Sequence, residues 1–272
     1  MKGNYKLLAL DMDGTTLDSK KRFPRETAKA IRELVSRGIH VAVATGRGLA
    51  ELSDYREELS CTGYAIDISG GLVYDFHREE PLFFRSLPME AALGILAAGE
   101  DEAAMVHLLT VRESVCRASD IQAMEHFGMA VYRDMYERVC CPQDDLAGYV
   151  REHADEVVKI NLYHRSVESR QRNCDRLAPL GLTAMFSEET GLEMSPEGIT
   201  KARGLEVLCR HLGIGMEEVV AVGDAPNDVD ILRLAGMPVA MGNATDEVKS
   251  VCRDVVGDND HNGVMDVITR YF

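Results

Sequence analysis

The sequence predicts an α/β protein, a parallel-sheet core interrupted by an inserted α+β module, and three observations predict it. Short apolar runs alternate with amphipathic segments at both ends of the chain, the pattern of βαβ units. Those runs stop abruptly at acids, threonine or glycine, where an open parallel sheet presents its ligand-binding ends. From about Leu82 to Glu189 the strand candidates become longer and more alternating, as in an antiparallel sheet with one face covered by helices. The expected division is a discontinuous core, residues 1–82 and 190–272, around an insert at 83–189.

Leu7–Leu10 is the first strand and runs into Asp11, Asp13 and Gly14. Pro24 suits the first turn of a helix whose Ala28, Ile31, Leu34 and Val35 share a face, with Gly38 where its C-terminal cap belongs. His40–Ala44 is a second buried strand, ending in Thr45-Gly46-Arg47 before another helical stretch. In the middle, Leu82–Leu87, Met105–Val111, Val157–Tyr163 and Leu182–Phe186 are strand candidates. Met89–Ala98, Gln122–Phe127 and Val167–Leu177 are helical ones. The βαβ pattern then returns: Leu205, Leu208 and Leu212 stripe a helix stopped by Gly213, Val219–Val222 ends at "GDAPND", and Pro238–Met241 ends at "GNA".

The 272 residues are 46% hydrophobic and 28% charged, which supplies a core and argues against disorder. A formal charge of −15 argues against a nucleic-acid or anionic-membrane surface, since phosphate backbones demand clustered Lys and Arg. Seven cysteines without a CxxC fit neither a disulfide framework nor a zinc site, and suit a reducing cytoplasm. The N-terminal stretch from Met1 to Tyr5 leads into an apolar run too short for a signal peptide, and no apolar stretch is long enough to span a bilayer. GxGxxG is absent, so a nicotinamide-dependent dehydrogenase is excluded.

Strand ends deliver Asp11 and Asp13, then Thr45, then Asp224 with Asn227 and Asp228, while Lys201 opens a helix. If those strands are neighbours, carboxylates converge, and two like charges about 4 Å apart cost roughly 4 kcal/mol at an effective dielectric near 20. Such a cluster needs a cation, and magnesium held by carboxylates and substrate phosphate is the usual hard, oxygen-liganded choice. Because Gly14 lets the chain turn, one carboxylate can face phosphorus as nucleophile while the other lies near the bridging oxygen as general acid and later base.

"DMDGT", "VAVATGR", "EGITKA" and "VGDAPND" resemble, in order, the four motifs of the haloacid dehalogenase-like phosphatases, and the tail "AGMPVAMGNATDEVKSVCRDVV" resembles their Cof-type subgroup, IIB, which carries a large α/β cap. The resemblance implies a Rossmann-like core and makes Asp11 the nucleophile that becomes an aspartyl phosphate and Asp13 the acid and base. Thr45 would hydrogen-bond the phosphoryl group, and Lys201 would neutralise it and orient Asp11. Asp11, the backbone carbonyl of Asp13 and Asp224 would bind Mg2+, with Asp228 and Asn227 supporting or sharing that shell. Relatives that store a long-lived aspartyl phosphate carry Thr where this chain has Asp13, so hydrolysis is expected. Two departures touch loops beside the pocket: Ser69-Gly70-Gly71 stands where Asn-Gly is common, and "DHNGV" (His261, Asn262, Gly263) where an acid precedes the late Gly-Val.

Other residues keep plainer alternatives. Gly46 would free its N–H for phosphate, whereas Arg47 is either a phosphate contact or a surface partner of Glu51. Cys140 and Cys141, with no histidine pattern beside them, are expected to be inert, and Lys159 to snorkel from a half-exposed strand unless it and His164 face a substrate. The expected function is a cytoplasmic, magnesium-dependent phosphatase of small phosphorylated metabolites, sugar phosphates foremost, as a monomer or homodimer, with specificity residing in the cap. A phosphotransferase or mutase on the same machinery and a non-catalytic metabolite-binding protein are the alternatives.

Overall fold

The computed structural model describes residues 4–272, so the first three residues of the N-terminal stretch lie outside it. In chain order it builds β1 (Leu7–Asp11), α1 (Arg25–Ser36), β2 (His40–Ala44), a 3-10 stretch at Leu49–Tyr55 leading into α2 (Arg56–Leu59), β3 (Tyr64–Asp67), β4 (Leu72–Asp75) and β5 (Glu80–Phe84). There follow α3 (Met89–Asp101), β6 (Met105–Thr110), β7 (Ser114–Cys116), α4 (Ala118–Gln122), α5 (Arg133–Val139), β8 (Cys140–Pro142), α6 (Leu146–Glu152), β9 (Val157–Tyr163), α7 (Val167–Leu177), β10 (Thr183–Ser187) and β11 (Gly191–Ser195). The chain closes with α8 (Lys201–Leu212), β12 (Val219–Gly223), α9 (Val229–Leu234), β13 (Met237–Ala240), α10 (Asp246–Val251), β14 (Asp254–Val255) and α11 (Gly263–Tyr271). Among the described residues no helix is long and apolar enough to cross a membrane.

Two compact units result. The first comprises the chain up to Gly46, Asp54–Phe83 and Thr200–Phe272; the second comprises Arg47–Ser53 and Phe84–Ile199. The first is built on an eight-stranded sheet in the order β14-β13-β12-β1-β2-β3-β4-β5. From β14 to β3 every pair is parallel, and β4 turns back antiparallel on β3. β1 lies in the interior of this sheet, and its five residues are buried, as a parallel strand covered on both faces must be. Leu7 and Ala9 pack with Leu205, Leu208, Val219 and Ala221 in one core cluster.

The second unit carries a six-stranded sheet, β10-β11-β9-β6-β7-β8. Leu82–Leu87 does not belong to it. Leu82–Phe84 instead finish β5 at the edge of the first sheet, because β5 follows β4 after a turn too short for any other neighbour. At the other end β11 pairs with β9 and β10, so the second unit continues to Ile199. β7 and β8 pair in parallel within an otherwise antiparallel sheet. The helical stretch expected over Gln122–Phe127 divides into the end of α4 and a 3-10 turn, Met124–Phe127, stopped by Gly128 at φ +71°.

Both faces of this sheet are covered, not one. Leu108, Ile160 and Leu162 pack with Ile95, Leu96, Leu146 and Val150 on one side. On the other, Met105, Cys116 and Tyr163 pack with Met124, Phe127 and Tyr136. Lys159, on the second face, is therefore fully buried and does not snorkel; its Nζ donates to Glu193 Oε2 at 2.9 Å. His164 is also buried, its Nδ1 3.0 Å from the Thr190 carbonyl and its Nε2 2.9 Å from Asn173 Nδ2.

α8 seats against β3 at Gly204, where a Cβ would overlap Ile66 Cγ2 and lie 3.1 Å from Gly70 Cα. Gly204→Ala is expected to destabilise the protein by about 1–3 kcal/mol through overpacking. Gly94→Ala, whose Cβ would meet nothing nearer than Leu180 Cδ1 at 3.9 Å, should be neutral or stabilising by up to about 1 kcal/mol on helix propensity. Thermal unfolding followed by circular dichroism checks both.

Candidate active site

The site lies at the carboxyl ends of the first unit's strands. β1 stops at Asp11 and the chain winds into a turn in which the Met12 carbonyl accepts from the N–H groups of Thr15, Thr16 and Leu17 at 3.3, 3.0 and 2.8 Å. Gly14 adopts φ +89°, and a Cβ there would overlap the Asp224 carboxylate. Only glycine permits both the left-handed backbone and the close approach. The turn holds the acids in place: Thr16 Oγ1 donates to the Asp11 carbonyl at 2.6 Å and Thr15 Oγ1 to Asp224 Oδ1 at 2.8 Å.

Parallel register brings the second group of acids alongside. Leu10 pairs with Val222, so Asp11 and the Gly223-Asp224 end of β12 leave the sheet together. Asp228, in a 3-10 turn after β12, folds its carboxylate back so that Oδ2 accepts from the N–H groups of Asp224 and Ala225 at 3.0 and 3.1 Å. Lys201 opens α8 behind its N-cap Thr200 and reaches in from the far side. Its Nζ donates to Asp11 Oδ1 and Asp228 Oδ1, both at 2.6 Å, and all three residues are buried.

One oxygen each from Asp11, Asp224 and Asp228 lie within 4.8 Å of one another, with Lys201 the neutralising cation bonded to two of them. Three acids against one ammonium leave a deficit of positive charge, and burial sharpens it. Burial, then Asp228, push the Asp11 carboxyl well above the ordinary range against the opposing pull of Lys201. Burial also lifts Asp224 to about 6, although the Thr15 hydrogen bond works the other way. Burial disfavours the Lys201 charge, yet the Asp11 and Asp228 carboxylates outweigh it and hold the ammonium protonated above its usual range. Asp11 Oδ2 is buried and meets no hydrogen-bond donor. An all-oxygen donor set with an undonated carboxylate oxygen fits a hard divalent cation.

The remaining expected residues lie as follows. Thr45 is buried at the end of β2, its N–H donating to the Ile66 carbonyl at 2.9 Å, and Gly46 follows it, half-buried. Asp13 is partly exposed and accepts from Lys21 Nζ at 2.8 Å. Asn227 is exposed, unlike its neighbour Asp228. Arg47 and Glu51 are both buried rather than on the surface. Arg47 Nη1 donates to Met135 Sδ at 3.0 Å, and Glu51 Oε2 accepts from the Gly48 N–H at 2.7 Å.

Two residues were missed. Asn243 Nδ2 donates to the Gly14 carbonyl at 2.8 Å and approaches Asp224 Oδ2 at 3.4 Å. Its signal was the "GNA" just after β13, the same strand-end position as the acids. Lys21, with φ +57°, had no such signal, because its link to Asp13 is made by the turn that β1 enters.

A family model described as haloacid dehalogenase-like hydrolase matches residues 8–268. The HMP-PP phosphatase of Serratia proteamaculans (strain 568) is 31% identical over 261 residues, covering 91% of this chain and 87% of the relative. The chloroplastic endoribonuclease YBEY of Arabidopsis thaliana is 27% identical over 299 residues; the match takes in 99% of this chain but 47% of that protein, so the chain spans about half of its length. Among solved structures, a haloacid dehalogenase-like hydrolase from Bacteroides thetaiotaomicron superposes with a TM-score of 0.85 at 27% identity, covering 98% of this chain and 100% of its own.

A pH-dependent stability follows from the Asp224 shift. Its folded value of about 6 exceeds the ordinary 3.8, so the contribution is present at low pH and lost as pH rises through about 6. In chelator, Asp224→Asn, which stays neutral throughout, should match wild type below about pH 4 and exceed it by about 2–3 kcal/mol above about pH 7. Excess magnesium chloride should reverse that order at the higher pH, because an ion binding only the folded state stabilises it. Thermal melts across pH, with and without the ion, make the measurement.

Proposed function

This chain belongs to the haloacid dehalogenase-like hydrolases, in their Cof-type group, and is a phosphoric monoester hydrolase; we propose that it hydrolyses small phosphorylated metabolites through an aspartyl phosphate on Asp11. The observation that carries this reading is the buried Lys201 ammonium bonded to both Asp11 and Asp228 beside Asp224. Such a constellation orients one carboxylate and concentrates charge where a phosphoryl group must be neutralised.

A magnesium ion held by Asp11, Asp224, Asp228 and the backbone carbonyl of Asp13 would, when bound, supply the charge that offsets the phosphoryl oxygens. The chain's own groups do the rest. Lys201, anchored on Asp11 Oδ1, fixes the plane of that carboxylate. An Asp11 oxygen attacks phosphorus, the bond from phosphorus to the leaving oxygen breaks, and Asp13 gives its proton to the departing alkoxide. Asp13, now a carboxylate, takes a proton from water as that water attacks the phosphorus of the acyl phosphate. Phosphate leaves and Asp11 is restored. Thr45, the N–H of Gly46 and Lys201 are proposed to hold the phosphoryl oxygens, with Arg47 and Asn227 as outer contacts. Lys21, bonded to Asp13, positions that carboxylate.

The second unit is proposed to set substrate preference. Its larger segment, Phe84–Ile199, lies in the chain between the body of β5 and α8, which lets that segment vary without disturbing β1, β2, β12 or α8, which bear the chemistry. A panel of sugar phosphates, nucleotides and cofactor phosphates identifies the preferred substrate, and an added sugar acceptor distinguishes transfer from hydrolysis.

Phosphate release from an aryl phosphate is expected to require Asp11: Asp11→Asn should lower kcat by at least about 10³-fold, consistent with loss of a covalent route. Asp13→Asn should lower it by about 10²–10⁴-fold, the range for general acid and base groups, and should let labelled phosphate accumulate on the protein in an acid-quenched single turnover. Wild-type turnover in Asp11→Asn would sink the reading.

A further inference from the structure

Within the second unit, a chain of buried polar side chains runs from β6 to β8 and has no part in the phosphatase reaction. Register sets Cys140 opposite Ser114 and His107 opposite Cys116. Ser114 and Cys116, two residues apart on β7, face the same side. Ser114 Oγ lies 3.1 Å from Cys140 Sγ and 2.6 Å from His107 Nε2. The other ring nitrogen, Nδ1, faces Tyr136 OH at 2.9 Å and Asn161 Nδ2 at 3.4 Å. The roles along this chain follow the His107 tautomer: with the ring proton on Nε2 toward Ser114, the serine hydroxyl is left to donate to sulfur. Cys116 follows on the same face of β7, two residues along in register from the position opposite Cys140. The expectation that no histidine attends Cys140 is thus corrected by pairing across β6, β7 and β8.

A polar chain from His107 through Ser114 therefore ends on the Cys140 sulfur. The neighbouring Cys116, His107 and Ser114 hold the Cys140 thiol below its ordinary range against the opposing effect of burial. The neighbouring Cys140 and burial push the Cys116 thiol up, with Asp120 and Glu51 adding to the effect. Glu51 Oε1 also lies 3.9 Å from His107 Nε2. Elsewhere burial raises Cys61 and pushes Cys209 and Cys252 up to about 11. Cys140 is partly exposed, whereas Ser114 and Cys116 are buried. A nucleophilic sulfur needs thiolate character and access together, and Cys140 is the partly exposed thiol whose neighbours hold it low.

We propose that Cys140 is a modification site, a nucleophilic thiolate open to small electrophiles and hydroperoxides, with Cys116 as the thiol that resolves its oxidised form. The Cys140 thiolate attacks the terminal oxygen of a hydroperoxide; an S–O bond forms, the O–O bond breaks, and the other oxygen leaves as alkoxide or hydroxide, which takes a proton from solvent to become an alcohol or water. Sulfur is oxidised by two electrons and the peroxide reduced by two. The Cys116 sulfur then attacks the resulting sulfenic acid, an S–S bond forms, the S–O bond breaks, and hydroxide departs with the Cys116 proton as water. A cellular dithiol reverses the step by exchange.

Iodoacetamide pulses on the folded protein, read by peptide mass, test the site. At about pH 6 Cys140 should be alkylated roughly tenfold faster than Cys61 or Cys252, since its larger thiolate fraction exceeds its loss of intrinsic nucleophilicity. Its rate should stay flat from about pH 6 to 9 while theirs climb, and Ser114→Ala should slow Cys140 at about pH 6 but hardly at pH 9. The wild-type pH profile carries this arm alone if Ser114→Ala does not fold. With one equivalent of hydrogen peroxide, wild type should give a Cys116–Cys140 cross-linked peptide, and Cys116→Ser a sulfenic acid trapped by dimedone. Alkylation of Cys140 at or below the rate of the other partly exposed thiols overturns the site. A sulfenic acid persisting in wild type as it does in Cys116→Ser overturns the resolving role.

Discussion

A single buried ammonium holds the first unit's chemistry together. Lys201 Nζ lies 2.6 Å from both Asp11 and Asp228, which are otherwise two carboxylates brought out of water side by side. An unpaired buried charge is among the costliest features a fold can carry, and removal of one partner from such a set strongly destabilises what remains. The strand order answers this requirement. β1 lies between β12 and β2, so its C-terminal acid meets the acids after β12 on one side and has the end of β2, which leads into Thr45, on the other. α8 starts at Lys201 itself, which places the cation at the mouth of the sheet with no loop between it and its helix.

Small residues make that crowding possible. Gly14 yields space to the Asp224 carboxylate, and Gly223 yields it to Asp228, whose side chain a Cβ would meet at 2.6 Å. Backbone amides then complete the work that side chains begin: Asp228 is held by two N–H groups of its own turn, so its other oxygen is left for Lys201. The cluster remains negative overall, a state that favours a cation over a void.

The second unit solves a different problem with similar means. Its sheet is apolar on the face toward α3 and α6 but carries Lys159, Asn161, His107, Ser114 and Cys140 on the other, all within reach of polar partners. Buried polar groups paired across strands favour a single register, because a slip of one residue would strand their donors. The parallel β7–β8 pair belongs to this arrangement, since it aligns Cys140 with Ser114.

How much was legible depended on how local the physics is. An apolar run that ends in an acid announces both the strand and the site residue after it, so β1, β2 and β12 and the acids Asp11, Asp224 and Asp228 followed from neighbouring residues. Helix α8 and its Gly213 stop, at φ +67°, are local in the same way. Asn243 obeyed the same rule but its short "GNA" signal carried no charge to draw attention. Pairing is not local. The membership of Leu82–Phe84 in the first sheet, the burial of Lys159 against Glu193, and the histidine beside Cys140 all depend on which strands become neighbours and in what register. The sequence by itself therefore determined where chains of apolar residues must end and which side chains those ends display. Tertiary structure alone decided which displayed groups meet, because hydrogen bonds and ion pairs reach about 3 Å while the residues that form them stand up to 190 or more positions apart in the chain.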